Sequence, residues 1–170
     1  MSIEAPLAPE QSYEVTDFTQ WHSVVGSTFV PASMSCVHPG TFSGRIRRLH
    51  VGNLEIIDMA ASAHVASRTV RDDGAVRSGE DFILSLQIAG TEELRQNRRS
   101  AMLEPGDFVL YDASNPFLAE VSPEFRGLNV RLSRAHLGIS PSELSRLSAH
   151  RLHGTAGLAP LVGSMLRRAN

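Results

Sequence analysis

Between Asp81 and Asp112 the chain alternates apolar and polar positions with the period of a strand. Phe82, Leu84, Leu86 and Ile88 alternate with Ile83, Ser85 and Gln87, the pattern of a half-buried strand that ends at Gly90. Thr91 to Gln96 continues extended, and Asn97-Arg98 supplies turn chemistry. Ala101-Met102-Leu103 leads into Pro105-Gly106, where Pro presets φ and Gly accepts the positive φ of a type II turn. Phe108 to Tyr111 is a further strand, closed by the turn cluster from Asp112 to Pro116. Upstream, Arg45 to Val51 and Leu54 to Ala60 flank Gly52-Asn53, a two-residue hairpin turn. Ala63 to Arg71 is a third strand, stopped by Asp72-Asp73-Gly74, and residues 75 to 80 are a polar loop. Downstream, Phe117 to Val121 and Leu128 to Leu132 are separated by Ser122-Pro123-Glu124. Short strands with regular turn signals over residues 43 to 132 predict a mainly β sandwich or barrel with antiparallel pairing.

Helical patterning flanks this region on both sides. Asp17 followed by Gln20 is a capping box, and Phe18, Trp21, Val25 and Phe29 form one apolar stripe that ends at Pro31. Near the other end, Ser140-Pro141-Ser142-Glu143 combines a capping box with Pro at the first helical position. That helix carries Leu144 and Leu147 and ends near His150. A second C-terminal helix follows Gly154, with Leu158, Leu161, Val162, Met165 and Leu166 on one stripe and no C-cap before Asn170. Such an amphipathic helix either packs on its own sheet or meets a partner.

A chain of 170 residues and 18.5 kDa fits one domain with a single core. The single cysteine, Cys36, permits no internal disulfide and reads as a small buried hydrophobe. Net charge is −2 and the arginines are scattered, which argues against strong binding of nucleic acid by these residues alone. The N-terminus lacks a basic n-region and an apolar h-region, and no run approaches the roughly 18 apolar residues of a membrane span. A soluble, cytoplasmic location is the expectation, with no membrane partner.

The seven histidines include no His-x-His pair, the spacing with which barrel enzymes converge on a divalent metal. His50 and His64, on neighbouring predicted strands with Glu55 or Asp58 nearby, are the one arrangement that would converge. A Gly-x-Ser-x-Gly elbow and a glycine-rich phosphate loop are both missing. The expectation is therefore no catalytic residue, no metal and no cofactor. Polar contacts to a small ligand would come from residues that interrupt an inward apolar face. Arg68 shares a face with Ala66 and Val70, where it would meet an anionic ligand or a protein carboxylate such as Asp58 or Asp107. Trp21 and Tyr111 either line the mouth of the barrel or pack in its core. Gln87, the fourth candidate, lies opposite in phase to Phe82 and Leu84, which assigns it to the outer face. Arg99 and Asp107 read as turn-stabilising.

The order of these features carries a resemblance: the Trp21 helix, the Arg45 to Leu54 hairpin, Ser67-Arg68-Thr69 and the Leu84 to Gly90 strand. It continues through Asn97-Arg98-Arg99, Leu103-Glu104-Pro105-Gly106-Asp107, Asn115-Pro116-Phe117 and Leu128 to Arg134. Together they resemble the N-terminal, cupin-like sensor domain of AraC-family transcription regulators, in the branch termed AraC-binding-like. The resemblance spans residues 15 to 168. It implies a jelly-roll barrel that holds or senses a small-molecule effector, helices that form a homodimer, and, in full-length members, two helix-turn-helix units that bind DNA. Where a metal cupin carries its last His, this chain has Asn115-Pro116-Phe117. The expected division is a flexible segment 1–14, a cupin-like barrel with its N-terminal helix over 15–134, and a helical dimerisation segment over 135–170. The dimerisation stripe is then Leu158, Leu161, Val162, Met165 and Leu166. A DNA-binding domain of about 100 residues is absent, so the chain is expected to be excised from a longer protein. The alternatives are a metal-dependent cupin enzyme and a stand-alone small-molecule-binding barrel.

Overall fold

The computed structural model describes residues 11–51, 54–69, 81–133, 138 and 140–153. In order these form β1 (Gln11–Val15), α1 (Phe18–Thr28), β2 (Ser33–Ser35), a short 3-10 turn (Pro39–Thr41), β3 (Gly44–Val51), β4 (Leu54–Ala61) and β5 (His64–Arg68). There follow β6 (Asp81–Ala89), β7 (Glu92–Gln96), β8 (Arg99–Leu103), β9 (Phe108–Asp112), β10 (Phe117–Val121), β11 (Phe125–Ser133) and α2 (Pro141–Leu147).

Every strand pair is antiparallel, in two sheets ordered β1-β3-β4-β11-β6-β9 and β2-β5-β10-β7-β8. Between them lies one apolar cluster that takes Ile57, Met59, Ile83 and Tyr111 from the six-stranded sheet and Leu94, Leu103, Phe117 and Val121 from the five-stranded one. This is the expected mainly β, cupin-like jelly roll. The turns are where the sequence puts them. Asn97 and Arg98 both take positive φ (53° and 61°), so the β7–β8 hairpin turns with the hand that matches strand twist. Gly106 takes φ 97°, with the Asp107 N–H donating to the Glu104 carbonyl at 2.9 Å.

Two strands were not legible in advance. Gln11–Val15, of which all but Val15 was assigned to the flexible segment 1–14, pairs along β3, and Ser33–Ser35 pairs with β5. Their sequences, QSYEV and SMS, are too polar or too short to alternate detectably. The strand expected from Ala63 to Arg71 is described only as His64–Arg68 and belongs to the second sheet, beside β10, not to the sheet of β3 and β4.

The larger correction concerns which face of β6 looks inward. Ile83 joins the cluster between the sheets, whereas Phe82 packs with Leu110 and Leu144, and Leu86 with Ile56, Phe108 and Leu128. The outer side of the six-stranded sheet is thus itself a buried apolar layer, partly covered by α2. Gln87, read as outward, alternates in step with Ile83 and is fully buried on the inner side.

Ser140 and Glu143 form the predicted capping box of α2. Its C-terminus is closed from a distance: the Arg99 guanidinium donates to the carbonyls of Ser145 at 2.7 Å and Ser148 at 3.1 Å. Arg99 is therefore a helix cap and not a local turn residue. Asp107 does hold its own turn, accepting from the Glu104 N–H at 2.8 Å, and it also pairs with Arg151 at 2.8 Å. The stripe Leu158, Leu161, Val162, Met165 and Leu166 lies outside the described residues.

Candidate functional site

The side chain of Asp17 accepts from the backbone N–H groups of Thr19 and Gln20, which starts α1. At the other end the Arg131 guanidinium on β11 donates to the carbonyl of Phe29. Held at both ends, α1 turns Trp21, Val25 and Phe29 into the barrel. They form one wall of a cavity of about 50 Å³. Met59, Tyr111 and Asn129 of the six-stranded sheet and His64, Glu92 and Phe117 of the five-stranded sheet form the others.

Trp21 and Tyr111, read as lining the mouth or packing in the core, sit in this wall at 1% and 4% exposure. Arg68 and Gln87 do not. Arg68 is buried opposite Phe117 and carries interactions of its own, and Gln87 donates its amide to the Ala89 carbonyl at 2.8 Å. The carboxylates suggested as partners of Arg68 serve other cations. Asp58 accepts two hydrogen bonds from Arg126, both at 3.0 Å, and Asp107 meets Arg151. The structure therefore brings together two of the four sequence candidates.

The polar side chains of the wall differ in whether they are already satisfied. Trp21 Nε1 donates to His64 Nε2 at 3.4 Å, and His64 Nδ1 donates to the Ser62 carbonyl at 2.8 Å. This pattern fixes the neutral tautomer, and burial lowers the pKa of the ring further. Asn129 donates to the Ile57 carbonyl at 3.4 Å. Glu92 is different. It opens β7 as the first inward position of the series Glu92, Leu94, Gln96, and it is 6% exposed. Burial lifts its carboxyl from the ordinary 4.5 to about 7. Burial likewise raises the Tyr111 phenol, with the nearby Glu92 charge acting in the same direction.

Glu92 was not among the sequence candidates, because in a strand reading EELRQ both alternating faces carry charge. The only signal was that Leu94 shares a face with Glu92. The histidine arrangement envisaged for a metal does not assemble. His50 lies on β3 of the six-stranded sheet, while His64 lies on β5 of the other and has both ring nitrogens engaged. Among the described residues no three His, Cys, Asp or Glu side chains gather as a metal site. Among the same residues, no helix is long and apolar enough to cross a membrane.

Comparison with known proteins bears on what this cavity serves. Residues 21–170 match the model of a family described as the AraC-binding-like domain. A protein encoded in the nit 5' region of Bacillus sp. (strain OxB-1), itself uncharacterized, is 30% identical over 168 residues, which cover 97% of this chain and 64% of that one. The transcriptional activator NphR of a Rhodococcus species is 31% identical over 119 residues, covering 67% of this chain and 34% of NphR. The chain thus spans less than two thirds of the length of either relative. In three dimensions it is similar to the crystal structure of the AraC-like transcriptional activator CuxR. The TM-score is 0.76 at 16% identity, over 93% of this chain and 59% of that one.

Proposed function

The chain belongs to the AraC-binding-like domain family, the sensing part of AraC-type transcription regulators, and from that premise we propose that it binds a small effector inside its barrel and dimerises through its C-terminal segment. Contact with DNA falls to a helix-turn-helix domain outside this chain. The domain is not an enzyme in this reading, and it works in the cytoplasm as a homodimer. The proposed division is that from the sequence with β1 added to the barrel: a barrel up to residue 134 and a dimerisation segment over 135–170, carrying Leu158, Leu161, Val162, Met165 and Leu166.

The observation that carries the reading is the cavity behind α1, walled by apolar side chains yet holding a carboxyl and a phenol. Buried polar groups inside an apolar pocket are the ordinary form of a small-molecule site. Catalysis has less support, because His64 is occupied by Trp21 and Ser62 and, among the described residues, no Ser, Thr or Cys lines the cavity. Trp21 and Tyr111 are the two sequence candidates the proposal retains as ligand contacts. Arg68 and Gln87 become supports of the wall.

Light scattering on the purified chain tests the dimer. The wild type should have twice the monomer mass, and Leu161→Glu or Met165→Glu should halve it. A monomeric wild type at high concentration would remove this part of the proposal. The effector part is tested by ligand-induced thermal stabilisation, read together with the fluorescence of Trp21, the single tryptophan.

A further inference from the structure

The cavity holds hydrogen-bonding capacity that the fold does not use. Among the described residues, neither the Glu92 carboxyl nor the Tyr111 hydroxyl has a hydrogen-bond partner, although the two residues are only 6% and 4% exposed. Leaving a carboxyl unpaired in apolar surroundings is costly, and Gln or Leu would fit a purely structural role at lower cost. Of the remaining polar side chains of the wall, His64 is engaged at both nitrogens, Trp21 donates to His64, and Asn129 donates through its amide nitrogen to Ile57. Among the described residues, no arginine or lysine lines the cavity. Arg131 acts on the Tyr111 phenol electrostatically, but it is held by the Phe29 carbonyl and lies 3.7 Å from Glu55.

An unmatched acidic oxygen in a box of rings selects a particular ligand. The rings of Trp21, Tyr111, Phe117 and Phe125 present π faces or edges to the same space, and π faces attract cations. A carboxylate ligand would meet Glu92 with no cation to offset the repulsion, whereas an ammonium would pair with it in a charge-assisted hydrogen bond. Resting on the reading of this cavity as the sensor site, we propose that the effector is a small primary amine. Its ammonium sits between Glu92 and the Tyr111 hydroxyl, and its alkyl or aryl group packs against Trp21 and Phe117.

Size sets a further condition. A cavity of about 50 Å³ has room for a few atoms, since one water needs roughly 10–15 Å³ by the same measure. A short alkylamine enters with little change, while an arylamine must move α1 outward. Ligand size would therefore be reported through Trp21.

The test compares three probes of similar length, n-butylamine, n-butanol and butyrate, with benzylamine, benzyl alcohol and benzoate as the larger set. Dissociation constants come from calorimetry and from Trp21 fluorescence. The amine should bind about tenfold or more tightly than the alcohol of the same shape, and the acid most weakly. Glu92→Gln should abolish the preference for amine over alcohol while retaining alcohol binding, which also reports that the variant is folded. Tyr111→Phe, which keeps the ring, should reduce the preference severalfold. An alcohol or acid that binds as tightly as the amine overturns the amine assignment and leaves the sensor cavity intact. So does a preference that survives Glu92→Gln. Failure of all six probes to bind overturns the cavity reading and the amine with it.

Discussion

Glu92 and Gln96 stand four residues apart on the same inward face of β7, and they connect it to different parts of the molecule. Glu92 looks into the cavity. Gln96 is 3% exposed and is tied at both ends of its amide: Nε2 donates to the Asp112 carbonyl at 2.8 Å, while Oε1 accepts from the Asp112 N–H at 2.9 Å and from the Ser148 hydroxyl. Ser148 is the C-cap of α2. One five-residue strand thus spans the distance from the cavity to the helix that leads toward the C-terminal segment.

Gln96→Leu should test that connection. Leucine keeps the volume but leaves the Asp112 amide group and the Ser148 hydroxyl without their partner. Each buried polar group so stranded costs about 1–3 kcal/mol. The expected loss of unfolding free energy in urea is about 2–4 kcal/mol, with faster amide hydrogen exchange at Ser148 and Ala149. A variant as stable and as protected as wild type would show that the strand does not hold α2.

Glu92 gives the protein a pH dependence of definite sign. Its carboxyl titrates near 7 in the folded chain, against the ordinary 4.5, so between those values the folded state holds the proton and the unfolded state does not. Stability must fall as pH rises from about 4.5 to 7, by about 3 kcal/mol in all, and level off above. Two other titratable groups among the described residues line the same cavity. The Tyr111 phenol on β9 is raised and stays neutral throughout, and His64 on β5 is lowered by burial, which gives the opposite slope below its ordinary 6.5. Both persist in Glu92→Gln, so the difference between the two proteins isolates Glu92. Urea unfolding should find the variant more stable than wild type at pH 8, with the gap closing toward pH 5.

How far the sequence reaches is clearest at Gln87 and Glu92. Period-2 alternation located β6 and β7, and turn residues at Asn97-Arg98 and Pro105-Gly106 located their ends, because those signals are local. Which face of a strand looks inward is not local. The apolar set Phe82, Leu84, Leu86 and Ile88 marks a buried face, but that face lies under α2 and the outer apolar layer, while the more polar set Ile83, Ser85 and Gln87 looks into the barrel. A sheet covered on both sides removes the contrast that alternation depends on. Trp21 and Tyr111, named from the sequence as large amphipathic rings, do line the cavity. Glu92 was not named, because a glutamate beside a glutamate reads as a solvated pair.

Arg99 is a second long-range tie to α2, made at the edge of the molecule. A seven-residue helix leaves most of its terminal carbonyls without internal partners, and Arg99 answers for Ser145 and Ser148 from the β7–β8 hairpin. Arg99→Ala should cost about 1 kcal/mol and raise amide exchange selectively in residues 144 to 149. Arg99→Lys should recover part of this, since an ammonium reaches one carbonyl but lacks the planar fork that serves several. Equal exchange in all three proteins would show that the cap adds nothing to α2.

The roof of the cavity depends on a position without a side chain. A Cβ placed on Gly44 would lie 2.5 Å from Cε3 of the Trp21 indole, and Trp21 is hemmed in by Phe42 and His64, each with its ring centroid 5.8 Å away. The indole cannot yield sideways, so in Gly44→Ala it must move into the cavity or lift α1. The expected outcome is a loss of about 1–3 kcal/mol, a red-shifted Trp21 emission and weaker binding of every probe irrespective of charge. Gly26→Ala supplies the opposite sign on the same helix. Nothing lies within 4 Å of the added methyl, and replacing glycine inside a helix should stabilise by about 0.5–1 kcal/mol. A Gly44→Ala protein with unchanged emission and stability would mean that the indole is not clamped against β3, and that α1 closes the barrel by some other contact.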